Sequence, residues 1–197
     1  MEKNNQSAID NRQSAIINPP NILTLSRFVF AILFMVCLSV PFSGATIIAL
    51  ILFAVAALTD ALDGYLARKI YGCTDFGKLM DPLADKVLTA AAFIGFAGLR
   101  LMPAWMVTLI ISREMMVTGL RLLAAEKGVV LAAGAWGKHK TVWQMVYIIA
   151  VLIARPFGVL TQKTCCTANW TFAFAVTGIT LWSGIVYFRE NFSLLKK

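Results

Sequence analysis

The sequence predicts an all-α, polytopic membrane protein with six transmembrane helices. Hydrophobic residues make up 59% of the 197 residues and charged residues 14%, whereas soluble domains contain about 45–50% and 25%. The apolar residues also fall into stretches long enough to cross a bilayer. A chain of this length could not bury so much apolar surface in a soluble fold, and the composition therefore excludes an ordinary soluble domain.

Six apolar stretches follow one another along the chain. Their approximate limits are 22–40, 45–66, 82–101, 105–125, 141–160 and 170–188. The second and fourth stretches carry charges toward their C-terminal ends, which is typical of helices that line a wet cavity. No internal repeat or second domain is visible, so residues 19–197 are predicted to form one membrane domain.

The residues before the first apolar stretch are expected to form a short cytoplasmic arm. Residues 1–18 are polar and lack the apolar core of a signal peptide. Pro19 and Pro20 would end any earlier structure, and Asn21 is a candidate N-cap for the first helix.

The distribution of basic residues predicts the orientation. With a cytoplasmic N-terminus, fifteen of the 18 lysines and arginines lie inside, and only Arg100, Arg155 and Lys163 lie outside. All ten acidic residues also fall inside. An even number of spans leaves both termini cytoplasmic. The net charge of +8 suits anionic headgroups and phosphates, and no basic run with interleaved aromatic residues indicates nucleic-acid binding.

Four aspartates lie where the chain should enter and leave the bilayer. Asp60 and Asp63 share one face of a helix, and Asp81 and Asp85 form an i, i+4 pair on the next segment. Charges at that depth are costly and indicate a functional site. Converging carboxylates would repel one another or become protonated without a cation between them. A hard divalent ion such as Mg²⁺ is the simplest cation to expect.

Simpler structural roles remain open for these residues. The first two aspartates could pair with Arg68 or Lys69 at a helix end. Asp81 precedes Pro82 and could be an N-cap, which is compatible with metal ligation. Gly64 could serve helix packing, although its position beside the aspartates favours close approach of a ligand to the backbone.

A second polar cluster lies downstream. On a helix Arg113 and Arg121 are about 80° apart and could converge on one anionic group. Guanidinium groups bind phosphate in a bidentate manner, so this pair suggests a substrate that carries phosphate. Lys138 and Lys140, in a predicted glycine-flanked loop, are further candidates. Membrane anchoring or an ion pair is the alternative for the basic residues. His139, between the two lysines, is interpreted as a solvated loop residue and not as a base.

The aspartate pattern resembles a family signature. It reads D-x2-D-G-x2-A-R-x8-G-x3-D-x3-D and is carried by Asp60, Asp63, Gly64, Ala67, Arg68, Gly77, Asp81 and Asp85. This is the signature of the CDP-alcohol phosphotransferases, integral membrane enzymes of six transmembrane helices that displace CMP from a CDP-linked lipid with an alcohol. The flanking segments Asn21–Thr24, Ile111–Glu114 and Gly137–Thr141 are similar to the bacterial members that use glycerol 3-phosphate.

The resemblance implies roles for individual residues. The metal ligands, for one or two Mg²⁺ or Mn²⁺ ions, are Asp60, Asp63, Asp81 and Asp85. Asp85 is in addition the implied catalytic base. The residues implied to bind CDP-diacylglycerol are Asn21, Thr24, Gly64, Arg68 and Thr74. The residues implied to bind the acceptor phosphate are Arg113, Arg121, Lys138 and Lys140.

The resemblance also implies the substrates and the setting. CDP-diacylglycerol is the donor and glycerol 3-phosphate the acceptor, in a homodimer of the bacterial inner membrane whose active site faces the cytoplasm. A sister enzyme that uses serine or an inositol phosphate shares the signature and remains an alternative. An ion-coupled transporter that uses membrane carboxylates is an alternative of a different class.

Overall fold

The computed structural model describes the backbone of residues 19–40, 42, 44–69, 75–126, 128, 135–158, 160 and 163–191. Within these ranges it describes all side chains except those of residues 19–25, 60–69, 75–85, 135, 136, 138 and 163–165. The described residues form six α-helices, which confirms the all-α prediction. The helices are α1 (Pro19–Ser39), α2 (Ala45–Lys69), α3 (Asp75–Gly98), α4 (Ala104–Glu126), α5 (Ala135–Ala154) and α6 (Lys163–Glu190).

Helix α3 begins and ends earlier than the predicted stretch 82–101. Its C-terminal end is set by Arg100, whose φ of 58° is left-handed. The Leu101 N–H donates to the Phe96 carbonyl at 2.9 Å, and the Arg100 N–H donates to the Ala97 carbonyl at 3.0 Å. These bonds form a Schellman motif, in which glycine usually occupies the left-handed position. Because arginine stands there, the apolar pattern alone did not reveal the stop.

Helix α5 is also displaced toward the N-terminus relative to the predicted stretch 141–160. Apolar residues continue to Leu160, but Pro156 cannot continue a helix and disfavours helical geometry at Arg155, so α5 ends at Ala154. Because α5 starts at Ala135, the glycine-flanked segment 137–141 is helical. The prediction of a loop around Lys138 is therefore wrong.

Neither of the two candidate N-caps stands at the start of its helix. Helix α3 starts at Asp75, so Asp81 and Pro82 lie inside it and Asp81 is not its N-cap. Helix α1 starts at Pro19, a favourable first residue because proline has no N–H to leave unbonded. Asn21 therefore lies within the first turn.

The bundle consists of two groups of packed helices. Helix α1 packs along α2 and α3, α6 packs along α4 and α5, and contacts of α3 with α4 and of α2 with α5 join the groups. Tyr147 of α5 lies fully buried at the junction, where its ring packs against Phe93 and Phe96 of α3. Its hydroxyl donates to Asn169 Oδ1 at 3.2 Å, and Asn169 Nδ2 donates to the Leu101 carbonyl at 2.7 Å. These bonds tie the end of α3 to α6.

The outside of the bundle is strongly apolar. Large apolar side chains are exposed on every helix, and Ile32 and Leu58 are each 64% exposed. So many exposed apolar side chains suit hydrocarbon better than water. Among the described residues, one helical segment, Cys166–Glu190, is long and apolar enough to cross a membrane, and shorter apolar segments occur in α1, α2, α3 and α5. The six helices are thus confirmed as helices, and their number as membrane spans remains a prediction.

Candidate functional site

The two aspartate pairs lie on consecutive helices on either side of one connection. Asp60 and Asp63 belong to the last part of α2, and Asp81 and Asp85 to the first part of α3, with residues 70–74 between the helices. The helical spacing expected within each pair is confirmed. The four side chains lie outside the described ones, so their mutual arrangement stays a prediction.

The residues expected to bind the donor nucleotide have a similar placement. Asn21 and Thr24 lie in the first turns of α1, and Gly64 and Arg68 lie near the end of α2. Their side chains are not among the described ones, and Thr74 lies outside the described residues altogether.

A cationic cavity of about 360 Å³ lies between α3, α4, α5 and α6. Its walls are formed by Lys86, Arg113, Glu114, Val117, Thr118, Arg121, Gly137, Lys140, Thr141, Val142 and Tyr187. Four of these side chains are cationic and one is a carboxylate. Arg113, Arg121 and Lys140 were predicted from the sequence to meet at one anionic group, and the structure places all three on this cavity. The side chain of Lys138 is not described.

Arg113, Glu114 and Lys140 form a buried ion cluster on the cavity wall. Each of these residues is no more than 7% exposed. Arg113 Nη1 donates to Glu114 Oε1 at 3.2 Å, and Lys140 Nζ donates to the same oxygen. Gln144 Nε2 lies 3.5 Å from that oxygen and donates to Thr180 Oγ1 at 3.1 Å. One carboxylate oxygen therefore holds two cations from different helices beside the cavity, so these three described side chains together carry a net positive charge.

Arg121 is held by an aromatic residue of α6. Its Nε donates to the Tyr187 hydroxyl at 3.1 Å, and its guanidinium carbon lies 5.2 Å from the centre of the Tyr187 ring. A guanidinium over an aromatic face is stabilised electrostatically. Since Arg121 is only partly buried, its remaining N–H groups are available for a ligand in the cavity.

Sequence reasoning missed Lys86, Glu114 and Tyr187 as members of this site. Lys86 directly follows Asp85 and is the link between the aspartate helix and the cavity. Its position next to the signature was a usable signal. Glu114 adjoins Arg113, and the ion pair proposed as a structural alternative for Arg113 does exist. Tyr187 lies in the last helix, α6, which carries no motif, so nothing in the sequence indicated that it belongs to the site.

Removal of Glu114 should destabilise the fold. Glu114→Ala is expected to lower the free energy of unfolding by about 3–5 kcal/mol, because it leaves the buried cations Arg113 and Lys140 uncompensated. The measurement is the thermal midpoint of the detergent-solubilised protein. Glu126→Ala, which removes an exposed carboxylate from the end of the same helix, is the control and should change little. Equal midpoints for the two variants would contradict the stabilising role of the cluster.

The aspartate pairs fit a hard divalent cation by their chemistry. Four carboxylates, two per helix and each pair on one helix face, supply the oxygen ligands that Mg²⁺ and Mn²⁺ prefer. Among the side chains that the structure describes, no group of three or more His, Cys, Asp or Glu could hold a metal. The candidate metal ligands therefore remain the four aspartates that the sequence predicted.

Comparison with known proteins identifies the family. The model of the CDP-alcohol phosphatidyltransferase family matches residues 17–186. The chain belongs to this family. The matched region includes both aspartate pairs and every cavity residue except Tyr187, which follows it directly.

Several curated relatives match most of the chain. CDP-diacylglycerol--glycerol-3-phosphate 3-phosphatidyltransferase of Bacillus subtilis is 41% identical, over 92% of this chain and 98% of the relative. The protein of the same name from Pseudomonas fluorescens is 35% identical over 91% and 93%, and that from Salmonella typhimurium is 37% identical over 86% and 92%. The protein is thus an enzyme of a membrane-bound family, and the transporter alternative is wrong.

Proposed function

We propose that the protein transfers the phosphatidyl group of CDP-diacylglycerol to glycerol 3-phosphate, giving phosphatidylglycerol phosphate and CMP in phospholipid biosynthesis. The observation that carries the proposal is the cavity lined by four cationic side chains, one of which, Lys86, lies on α3, the helix that also bears Asp81 and Asp85. An acceptor with its own phosphate brings net negative charge to a wall where four cationic side chains accompany the one described carboxylate of Glu114, whereas serine is a zwitterion without net charge. The names of the relatives support the same substrates.

In the proposed mechanism, the donor binds across the signature residues. Asn21, Thr24, Gly64 and Arg68, with Thr74, contact the CDP part. A Mg²⁺ or Mn²⁺ site formed by the four aspartates would neutralise charge on the pyrophosphate. The acyl chains need only a groove open to the bilayer, in keeping with the apolar exterior of the bundle.

Asp85 is the proposed catalytic base. It accepts the proton of the acceptor hydroxyl, and the acceptor oxygen forms a bond to the phosphorus that carries diacylglycerol. The bond from that phosphorus to the CMP oxygen breaks, and CMP leaves. Since Lys86 lines the cavity, the base directly precedes in sequence a residue of the proposed acceptor site, which supports this assignment.

The cationic side chains of the cavity hold the acceptor phosphate. Arg113 and Arg121 offer planar guanidinium donors, while Lys140 and Lys86 contribute charge. Lys138 remains a further candidate from the sequence. Because Arg113 and Lys140 are already fixed by Glu114, they need little ordering when the acceptor binds.

The membrane topology is part of the proposal. All six helices span the inner membrane of a bacterium as one domain of residues 19–197, with both termini and the active site on the cytoplasmic side. The exposed apolar side chains on every helix and the bias of basic residues support this arrangement. A homodimer is proposed from the family resemblance alone.

Substitution of Arg121 tests the acceptor site. Arg121→Ala is expected to raise KM for glycerol 3-phosphate by about 10- to 150-fold, because a charge-assisted hydrogen bond contributes about 1.5–3 kcal/mol. KM for CDP-diacylglycerol should change far less. Arg121→Lys should restore part of the affinity, since it retains the charge but not the planar fork. Steady-state kinetics on purified protein measure both constants.

Two results of these kinetics would count against the acceptor assignment. One is an unchanged KM for glycerol 3-phosphate in Arg121→Ala. The other is efficient use of free glycerol by the wild type, because glycerol has no phosphate group for the cationic cavity to bind.

A further inference from the structure

Arg113 is held in place by a residue of α6 that does not line the cavity. Its Nη2 donates to Ser183 Oγ at 2.6 Å, while Nη1 donates to Glu114. Ser183 is 2% exposed, and its own hydroxyl donates to the Thr180 carbonyl at 3.4 Å. Because that hydrogen is already used, the lone pairs of Ser183 remain for the guanidinium. Arg113 is thus fixed between α4 and α6.

The neighbouring residue, Gly184, packs against the stem of the same arginine. A Cβ atom at Gly184 would lie 2.8 Å from Arg113 Cγ and 3.1 Å from Arg113 Nε. The first distance is shorter than real Cβ contacts, and Cγ lies near the root of the side chain. A methyl group there would therefore displace the whole guanidinium and not only its tip. By contrast, a Cβ at Gly178 on the same helix meets no atom within 4 Å.

Arg113 keeps further hydrogen-bonding capacity. Its Nε is buried against Gly184, and its two terminal nitrogens carry two N–H groups each, of which Glu114 and Ser183 accept one apiece. A guanidinium carries five N–H donors, and the contacts to Glu114 and Ser183 use only part of them. The contacts from α6 thus set the position of a side chain that still has donors for a ligand.

We propose that Ser183 and Gly184 are positioning residues that set the Arg113 guanidinium for the acceptor phosphate. Ser183 does so by accepting its hydrogen bond, and Gly184 by leaving room for its stem. The inference rests on the proposed function, because it takes the cavity to be the acceptor site. Ser183 and Gly184 then contribute to acceptor affinity without touching the substrate.

Gly184→Ala tests the steric part of the proposal. It is expected to raise KM for glycerol 3-phosphate by about tenfold, since displacements well below 1 Å already weaken an oriented contact. KM for CDP-diacylglycerol should stay within about twofold, because the donor does not use Arg113. Gly178→Ala adds the same methyl group to the same helix and should change neither constant. An equal rise in both constants with a lowered thermal midpoint would mean general packing damage and would overturn the proposal.

Ser183 and a double variant supply the second readout. Ser183→Ala is expected to raise KM for glycerol 3-phosphate. Ser183→Thr keeps a hydroxyl and should have a KM close to that of the wild type. In an Arg113→Ala background the stem is gone, so Gly184→Ala should add no further rise. An additional rise in that background would overturn the proposal.

The same series separates this inference from the proposed function. If Arg113→Ala raises KM for glycerol 3-phosphate but Gly184→Ala and Ser183→Ala do not, the positioning role fails and the acceptor site stands. If Arg113→Ala leaves that constant unchanged, the acceptor site itself fails, and the positioning role fails with it.

Discussion

Replacing Asp60, Asp63 or Asp81 by Asn is expected to abolish measurable CMP release. Each substitution is nearly isosteric but removes one negative charge from a site that must hold a divalent cation against a pyrophosphate. The measurement is CMP release from CDP-diacylglycerol by the purified variants at saturating Mg²⁺. Removal of metal by a chelator should have the same effect on the wild type, and added Mg²⁺ or Mn²⁺ should restore activity.

A matched control for these variants lies on the same segment. Asp75→Asn removes an acidic residue at the first position of α3 that is not part of the signature, and it should retain nearly full activity. Full CMP release by a metal-free preparation, or equal loss in the Asp75 variant, would argue against a metal site at the four aspartates.

Replacing Asp85 by Asn is expected to lower turnover by about 10²- to 10⁴-fold, the usual cost of losing a general base. The donor should still bind, because three carboxylates and the other signature residues remain. The measurements are single-turnover kinetics and a separate binding titration with CDP-diacylglycerol. If the variant lost donor binding and showed no separate chemical defect, Asp85 would be a metal ligand only.

The main features of the fold follow from simple patterns in the sequence. The apolar stretches predicted all six helices, because a helix that meets lipid or core on every side must be apolar throughout. Helix ends were less predictable. Arg100 takes a left-handed conformation that glycine usually adopts, and Pro156 ends α5 inside an apolar run. Both ends depend on the backbone geometry of single residues, which hydropathy does not report.

The candidate site was predictable where its residues are close in sequence. Arg113 and Arg121 are separated by two helical turns, so their convergence on one cavity followed from helix geometry. The contacts of Tyr187 and Ser183 with these arginines join residues 66 and 70 positions apart. Helix α6 carries no motif, and such contacts depend on how helices pack. For that reason the sequence indicated three of the four cationic residues of the cavity, but not the residues of α6 that hold the two arginines.

The most direct test of the account is an acceptor screen with purified protein. CDP-diacylglycerol and Mg²⁺ are supplied with glycerol 3-phosphate, serine or inositol 1-phosphate, and both CMP and the lipid product are measured. The account predicts rapid CMP release with glycerol 3-phosphate, formation of phosphatidylglycerol phosphate, and little reaction with the other two acceptors. A preference for serine or inositol 1-phosphate would contradict the acceptor assignment, and absence of CMP release with every acceptor would contradict the proposed reaction.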